Sequence, residues 1–156
     1  MYHKNLSPSE ILPSEHTRCT SELENLARQG KLAEAGAIYV VSVPKAYHLR
    51  AKYVAVDGHN RLESARRANV FIGSNVLQSM KDFNSVFGDE TQEQELGERR
   101  KTGNAEVLAE REFLEDAFLE DDISLFRMLV ESYVDSAISL YQRKQALLLL
   151  KNRRKK

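Results

Sequence analysis

The sequence predicts an α+β protein, a small mixed sheet with helices followed by an α-helical C-terminal extension. Three observations carry that expectation. Residues 37–43 form an almost unbroken apolar run, the pattern of a strand covered on both faces. Tyr53, Val54 and Val56 are aromatic or β-branched, whereas after them the apolar residues fall at Leu62, Ala65 and Ala68, so a strand runs directly into a helix. Finally, Phe126, Val130, Tyr133, Ala137 and Tyr141 recur every three to four residues, the stripe of a long helix that faces either a core or a second copy of the chain.

In chain order, a first helix is expected near Ser21, where Ser21 and Glu24 can form a capping box and Leu23, Leu26 and Ala27 supply the apolar stripe. Gly30 should stop it. The strand at 37–43 is ended by Pro44, and residues 45–51, rich in Lys, His and Arg, read as an exposed connection. Residues 70–72 are expected as a third strand. From 75 to 87 the spacing of Val76, Leu77, Met80, Phe83, Val86 and Phe87 predicts a helix. Residues 88–104 carry one apolar side chain and read as a charged linker or frayed helix. Two helices follow, at about 105–120 and 123–150, with acidic residues dominating 106–122 and basic ones 143–156. The expected organisation is a domain at 5–87, a linker at 88–104 and a helical extension with a basic tail at 105–156.

The junction between the strand at 53–56 and the helix after it has the make-up of an anion site. Gly58 frees the backbone to turn, Asn60 is a fair N-cap, and the first amides of the helix point the positive end of its dipole over the loop. Arg61 adds a planar fork suited to two phosphate oxygens, and Asp57 suits a metal ion or a ribose hydroxyl. The plain alternative for these residues is an ordinary turn, in which Gly58 serves geometry and Arg61 is a surface cation. His59 has no second histidine or cysteine at ligand spacing, which favours a phosphate contact or a structural hydrogen bond over a metal.

The string Asp57-Gly58-His59-Asn60-Arg61 resembles the signature loop of the ParB/sulfiredoxin superfamily, closest to the branch reading Asp-Gly-His-His-Arg that includes the free serine kinases. Asn60 replaces the second histidine of that branch. ParB proteins carry Gly-Glu-Arg-Arg there, of which Gly58 and Arg61 survive, and sulfiredoxins need a cysteine where His59 stands. The same tetrad occurs at Gly97-Glu98-Arg99-Arg100, but no strand precedes it and a charged linker cannot aim it at a nucleotide. The resemblance covers roughly residues 5–75. In the serine kinases a proline followed two residues later by a glutamate precedes the first helix, and that glutamate is the proposed catalytic base; Pro13 and Glu15 match it.

The resemblance implies a nucleotide-binding protein. ATP or ADP with Mg²⁺ would lie at Asp57, Gly58, His59, Asn60 and Arg61, with Asp57 reaching the magnesium and Glu15 taking the proton of a small hydroxyl compound. The alternative it implies is a ParB-like, CTP-switched DNA-binding or partition-type protein. Against that, no helix-turn-helix is evident, and the acidic stretch at 106–122 would repel a phosphate backbone. Nuclease chemistry, also found in the superfamily, needs a carboxylate cluster where the loop supplies Asp57 alone.

Composition bounds the remaining classes. The 156 residues carry 23 basic and 23 acidic side chains, without the basic excess of a dedicated nucleic-acid binder. Any DNA contact would fall to the tail at 151–156, which otherwise reads as a solvated helix end. One cysteine, Cys19, makes no intrachain disulfide, and no apolar run approaches membrane-spanning length, so a cytoplasmic protein is expected. A homodimer through the 123–150 helix is the remaining partner expectation.

Overall fold

The computed structural model describes residues 1–17, 20–88 and 122–154. Most of the expected linker, the expected helix at 105–120, the second tetrad, Cys19 and the last two lysines of the basic tail lie outside the described residues. The architecture is α+β. Five strands, β1 (Tyr2–Leu6), β2 (Ile11–Leu12), β3 (Ile38–Ser42), β4 (Tyr53–Asp57) and β5 (Ile72–Leu77), form one sheet in the order β1-β5-β3-β4-β2. The described helices are α1 (Ser21–Arg28), α2 (His59–Ala68), α3 (Met80–Phe83) and α4 (Ile123–Arg154).

The sheet is mixed. β1 runs antiparallel to β5 and β3 antiparallel to β4, while β2 is parallel to β4 with Ile11 opposite Tyr53 and Leu12 opposite Val54. β3 and β4 are buried on both faces, as the apolar run predicts, because side chains alternate along a strand. The cross-strand pair Val40 and Ala55 lies on one face and Val41 and Val54 on the other, and all four are fully buried. A bulge between Tyr39 and Val40 shifts the register where β3 comes opposite Asp57, beside the signature loop.

The described chain divides into two compact units, one of Tyr2–Val76 with Val130–Lys156 and one of Met1 with Leu77–Leu129. In the first, Ile38, Val40, Ala55, Leu62, Ala65, Ile72 and Val76 join Leu6, Ile11 and Ala27 in one core, with Leu23 and Ala68 packed at its edge. α4 buries Val130, Val134, Ala137 and Leu140 in this unit, a stripe close to the expected one but shifted. Tyr141 is exposed, and so are Leu147, Leu148, Leu149 and Leu150 on the last turns. In the second unit Ser79 caps α3 by accepting from the Asp82 amide at 3.2 Å, and the N-terminal ammonium lies 2.8 Å from the Asp82 carboxylate.

Four local expectations are corrected. α1 is capped by Thr20, whose hydroxyl accepts from the Leu23 amide at 3.3 Å, not by Ser21. α2 is preceded by Gly58 as its cap, which places Asn60 inside the first turn. The third strand runs five residues beyond 72, so Val76 and Leu77 belong to β5 and the expected helix at 75–87 shrinks to α3 and a wider single turn at Asn84–Gly88. Two further strands, β1 and β2, complete the sheet.

Candidate functional site

Parallel pairing of β2 with β4 places the site. Both strands end at the same rim, so residues 13–16 leave β2 beside the point where 57–61 leave β4. Ligands of sheet proteins gather at such carboxyl ends, where chains turn outward. Here the two exits frame a cleft of about 440 Å³ lined by Glu15, His16, Leu23, Ala35, Asp57, Gly58, His59, Asn60 and Arg61.

Gly58 makes the turn at φ +90°, in the left-handed region that disfavours a side chain. A Cβ there would also stand 2.4 Å from Ile38 Cγ2 and 2.9 Å from Arg61 Nη2. The sharp turn lets α2 start at His59, and the Leu62 amide is the first to bond back, to the Gly58 carbonyl at 3.0 Å. The first amides of α2 therefore precede the helical ladder, at the end of the helix dipole that favours negative charge.

Arg61 is partly committed. Its Nη1 donates to the Ala35 carbonyl at 2.8 Å, and its Nη2 lies 3.8 Å from Asp57 Oδ2. The guanidinium is thus fixed at the cleft wall, with the exposed Asp57 carboxylate as a loose counter-charge. Asn60 is exposed on the first turn of α2.

His59 points the other way, into the protein, and is 7% exposed. Its Nε2 accepts a hydrogen bond from the Ser14 amide at 3.1 Å, and the Ser14 hydroxyl donates to the Ala55 carbonyl at 2.7 Å. These bonds tie the strap at 13–16 to β4 and to α2. The strap carries Glu15, which is 72% exposed with Oε2 3.9 Å from His59 Nδ1. Burial pushes the His59 pKa below its ordinary value, against the opposing pull of the Glu15 and Asp57 carboxylates and the Ala55 carbonyl.

Two participants were not read from the sequence as site residues. Ser14, the tie, is a small polar residue in a loop and carries no pattern. Tyr133, assigned to the packing stripe of α4, is half-buried, and burial together with the Glu15 and Asp57 carboxylates raises its phenol pKa. Its helical spacing marks it as inward-facing; only the tertiary fold shows which carboxylates act on it.

Farther along α2, Glu63 is buried. Burial pushes its carboxyl up, but hydrogen bonds from Arg66 and Arg67 outweigh this and hold it below the ordinary value. Those two arginines are thereby occupied away from the cleft. Among the described residues no group of three or more His, Cys, Asp and Glu side chains is placed to hold a metal ion by itself. Asp57, exposed at the cleft, suits the mode in which magnesium takes one carboxylate and completes its shell with phosphate oxygens and water. Among the described residues no helix is long and apolar enough to cross a membrane. Comparison with protein-family models, with curated proteins and with solved structures finds no match to this chain.

Proposed function

We propose that this chain binds a nucleotide by its phosphates at Asp57, Gly58, His59, Asn60 and Arg61 and, with Glu15 as general base, transfers a phosphoryl group to a small hydroxyl compound, in the manner of the free serine kinases of the ParB/sulfiredoxin superfamily. One observation carries this reading: the strap at 13–16 is tied to the loop by the Ser14 amide at 3.1 Å from His59 Nε2, so a carboxylate 42 residues from Asp57 in sequence shares a cleft with it. The cleft, at about 440 Å³, falls within the usual range for a small-molecule site. Backbone amides and Arg61 meet phosphate charge, Asp57 reaches a magnesium ion supplied with ATP or ADP, and the solvent-facing Glu15 accepts a proton from an incoming hydroxyl.

The test is phosphate transfer from ATP or ADP with magnesium to free serine and then to other small hydroxyl compounds, read by mass spectrometry. Glu15→Gln keeps shape and removes basicity, so it should leave nucleotide affinity nearly unchanged and lower transfer by roughly 10²- to 10⁴-fold. Equal turnover by wild type and Glu15→Gln would contradict the assignment of the base.

A second reading has one observation in its favour. The last turns of α4, residues 141–154, are exposed throughout and carry Arg143, Lys144, Lys151, Arg153 and Arg154 with no acidic residue. That surface suits a phosphate backbone and supports a ParB-like, CTP-switched DNA-binding protein. Preference for CTP over adenine nucleotides, together with duplex binding that weakens with salt, would favour it over the kinase.

A further inference from the structure

We propose that His59 is the positioning residue for Glu15: its neutral ring, pinned through Nε2 by the Ser14 amide, presents an Nδ1–H donor to the Glu15 carboxylate and holds that side chain toward the acceptor. The inference rests on the reading of Glu15 as the base and adds how that exposed carboxylate is kept in place.

The tautomer follows from the partners. A backbone amide only donates, so the Ser14 N–H 3.1 Å from Nε2 requires a lone pair on that nitrogen. The Ser14 hydroxyl lies 2.7 Å from the Ala55 carbonyl and 3.1 Å from the same Nε2 and can turn its hydrogen to either, whereas the amide hydrogen is fixed on Nε2. Nε2 is left as an acceptor, and a neutral ring must carry its proton on Nδ1. The ring has little freedom to do otherwise, being 7% exposed at the first position of α2.

Nδ1 faces Glu15 Oε2 at 3.9 Å, beyond hydrogen-bond length but within a small side-chain movement of it. Glu15 is free to make that movement, being 72% exposed and in no shorter ion pair among the described residues. Bonds of this kind commonly tighten when substrate arrives. An unrestrained surface glutamate would otherwise spread over several rotamers, at a cost in orientation that a fixed donor removes.

Two substitutions separate a donor to Glu15 from a mere tie to Ser14. The side-chain amide of Asn reaches the place of Nδ1, and that of Gln reaches the place of Nε2. His59→Gln keeps an acceptor for Ser14 and loses the donor, so kcat for phosphate transfer should fall about 10- to 100-fold with KM for the nucleotide unchanged. His59→Asn should recover most of that kcat while losing stability. The opposite order, with Gln active and Asn inactive, would overturn the proposal. A readout independent of turnover is the long-range ¹H–¹⁵N spectrum of the His59 ring in the full chain. Nδ1 should be protonated and Nε2 not, and Glu15→Gln should shift the Nδ1 resonance. An Nε2–H tautomer, or an Nδ1 resonance indifferent to Glu15→Gln, would overturn the proposal even if the enzyme is active. Absence of transfer by wild type, with the expected spectrum, would remove the catalytic reading of Glu15 and leave the His59–Glu15 pairing standing.

Discussion

A methyl group at position 58 has nowhere to go. With φ at +90° and Ile38 Cγ2 2.4 Å from where a Cβ would stand, Gly58→Ala must both strain the turn and displace a fully buried isoleucine. The expected cost is about 1–3 kcal/mol, read as a lower urea midpoint at unchanged slope. His59 gives a second prediction at this scale. Its native pKa lies below the ordinary 6.5, so the folded state binds fewer protons than the unfolded chain once the pH falls under that value. The stability it contributes is therefore complete above pH 6.5 and is lost as the pH drops toward the lowered native value. Glu63 and Asp82 have ordinary values of 4.5 and 3.8 and are lowered further, so they titrate beneath this window. Comparing urea unfolding at about pH 7.5 and about pH 5.5, wild type should lose stability and His59→Gln should lose less. Gly58, Arg61 and Glu15 stand out in the sequence by residue type and spacing, and all three line one cleft. Ser14 does not stand out, since its function lies in its backbone amide, which every residue but proline possesses.

At the scale of elements, the strand-to-helix junction and β3 were readable from apolar period alone, and both stand where expected. β1 was not, because four of its five residues are exposed and an edge strand of Tyr, His, Lys and Asn shows no alternation. β5 hid for a different reason: its inward residues are Ile72, Ser74 and Val76, so a fully buried serine interrupts the apolar alternation and the remaining side chains fall at helical spacing. The parallel pairing of the two-residue β2 with β4, which brings Glu15 to the loop, is a long-range fact with no local signal. α4 is also more than an appendage, since Val134 is fully buried in the same unit as the sheet and Tyr133 beside it feels the Glu15 and Asp57 charges. Val134→Ala should cost about 1–3 kcal/mol in thermal or urea unfolding, as expected for a cavity in a packed core. A change near zero would mean that α4 is not integral to the domain that carries the loop.

For the whole molecule, equal numbers of acidic and basic side chains conceal an uneven distribution, with a basic exposed helix end at 141–154 and an acidic stretch at 106–122. If the helix end binds DNA, removing residues 151–156 should weaken duplex affinity and flatten its salt dependence; unchanged binding would clear the tail. Phosphate binding at the 57–61 loop does not depend on that surface. Arg61 is held at the cleft wall by its 2.8 Å bond to the Ala35 carbonyl, so Arg61→Ala should remove a phosphate contact together with that tie, at about 1 kcal/mol of stability. The most direct measurement is titration calorimetry of ATP and ADP with magnesium against wild type and Arg61→Ala, each below its unfolding temperature. Binding by wild type that weakens by about 1–3 kcal/mol in Arg61→Ala is the predicted result. Equal affinity in the two proteins, or no binding by wild type of these nucleotides or of CTP, would show that the 57–61 loop is a structural turn and not a phosphate site.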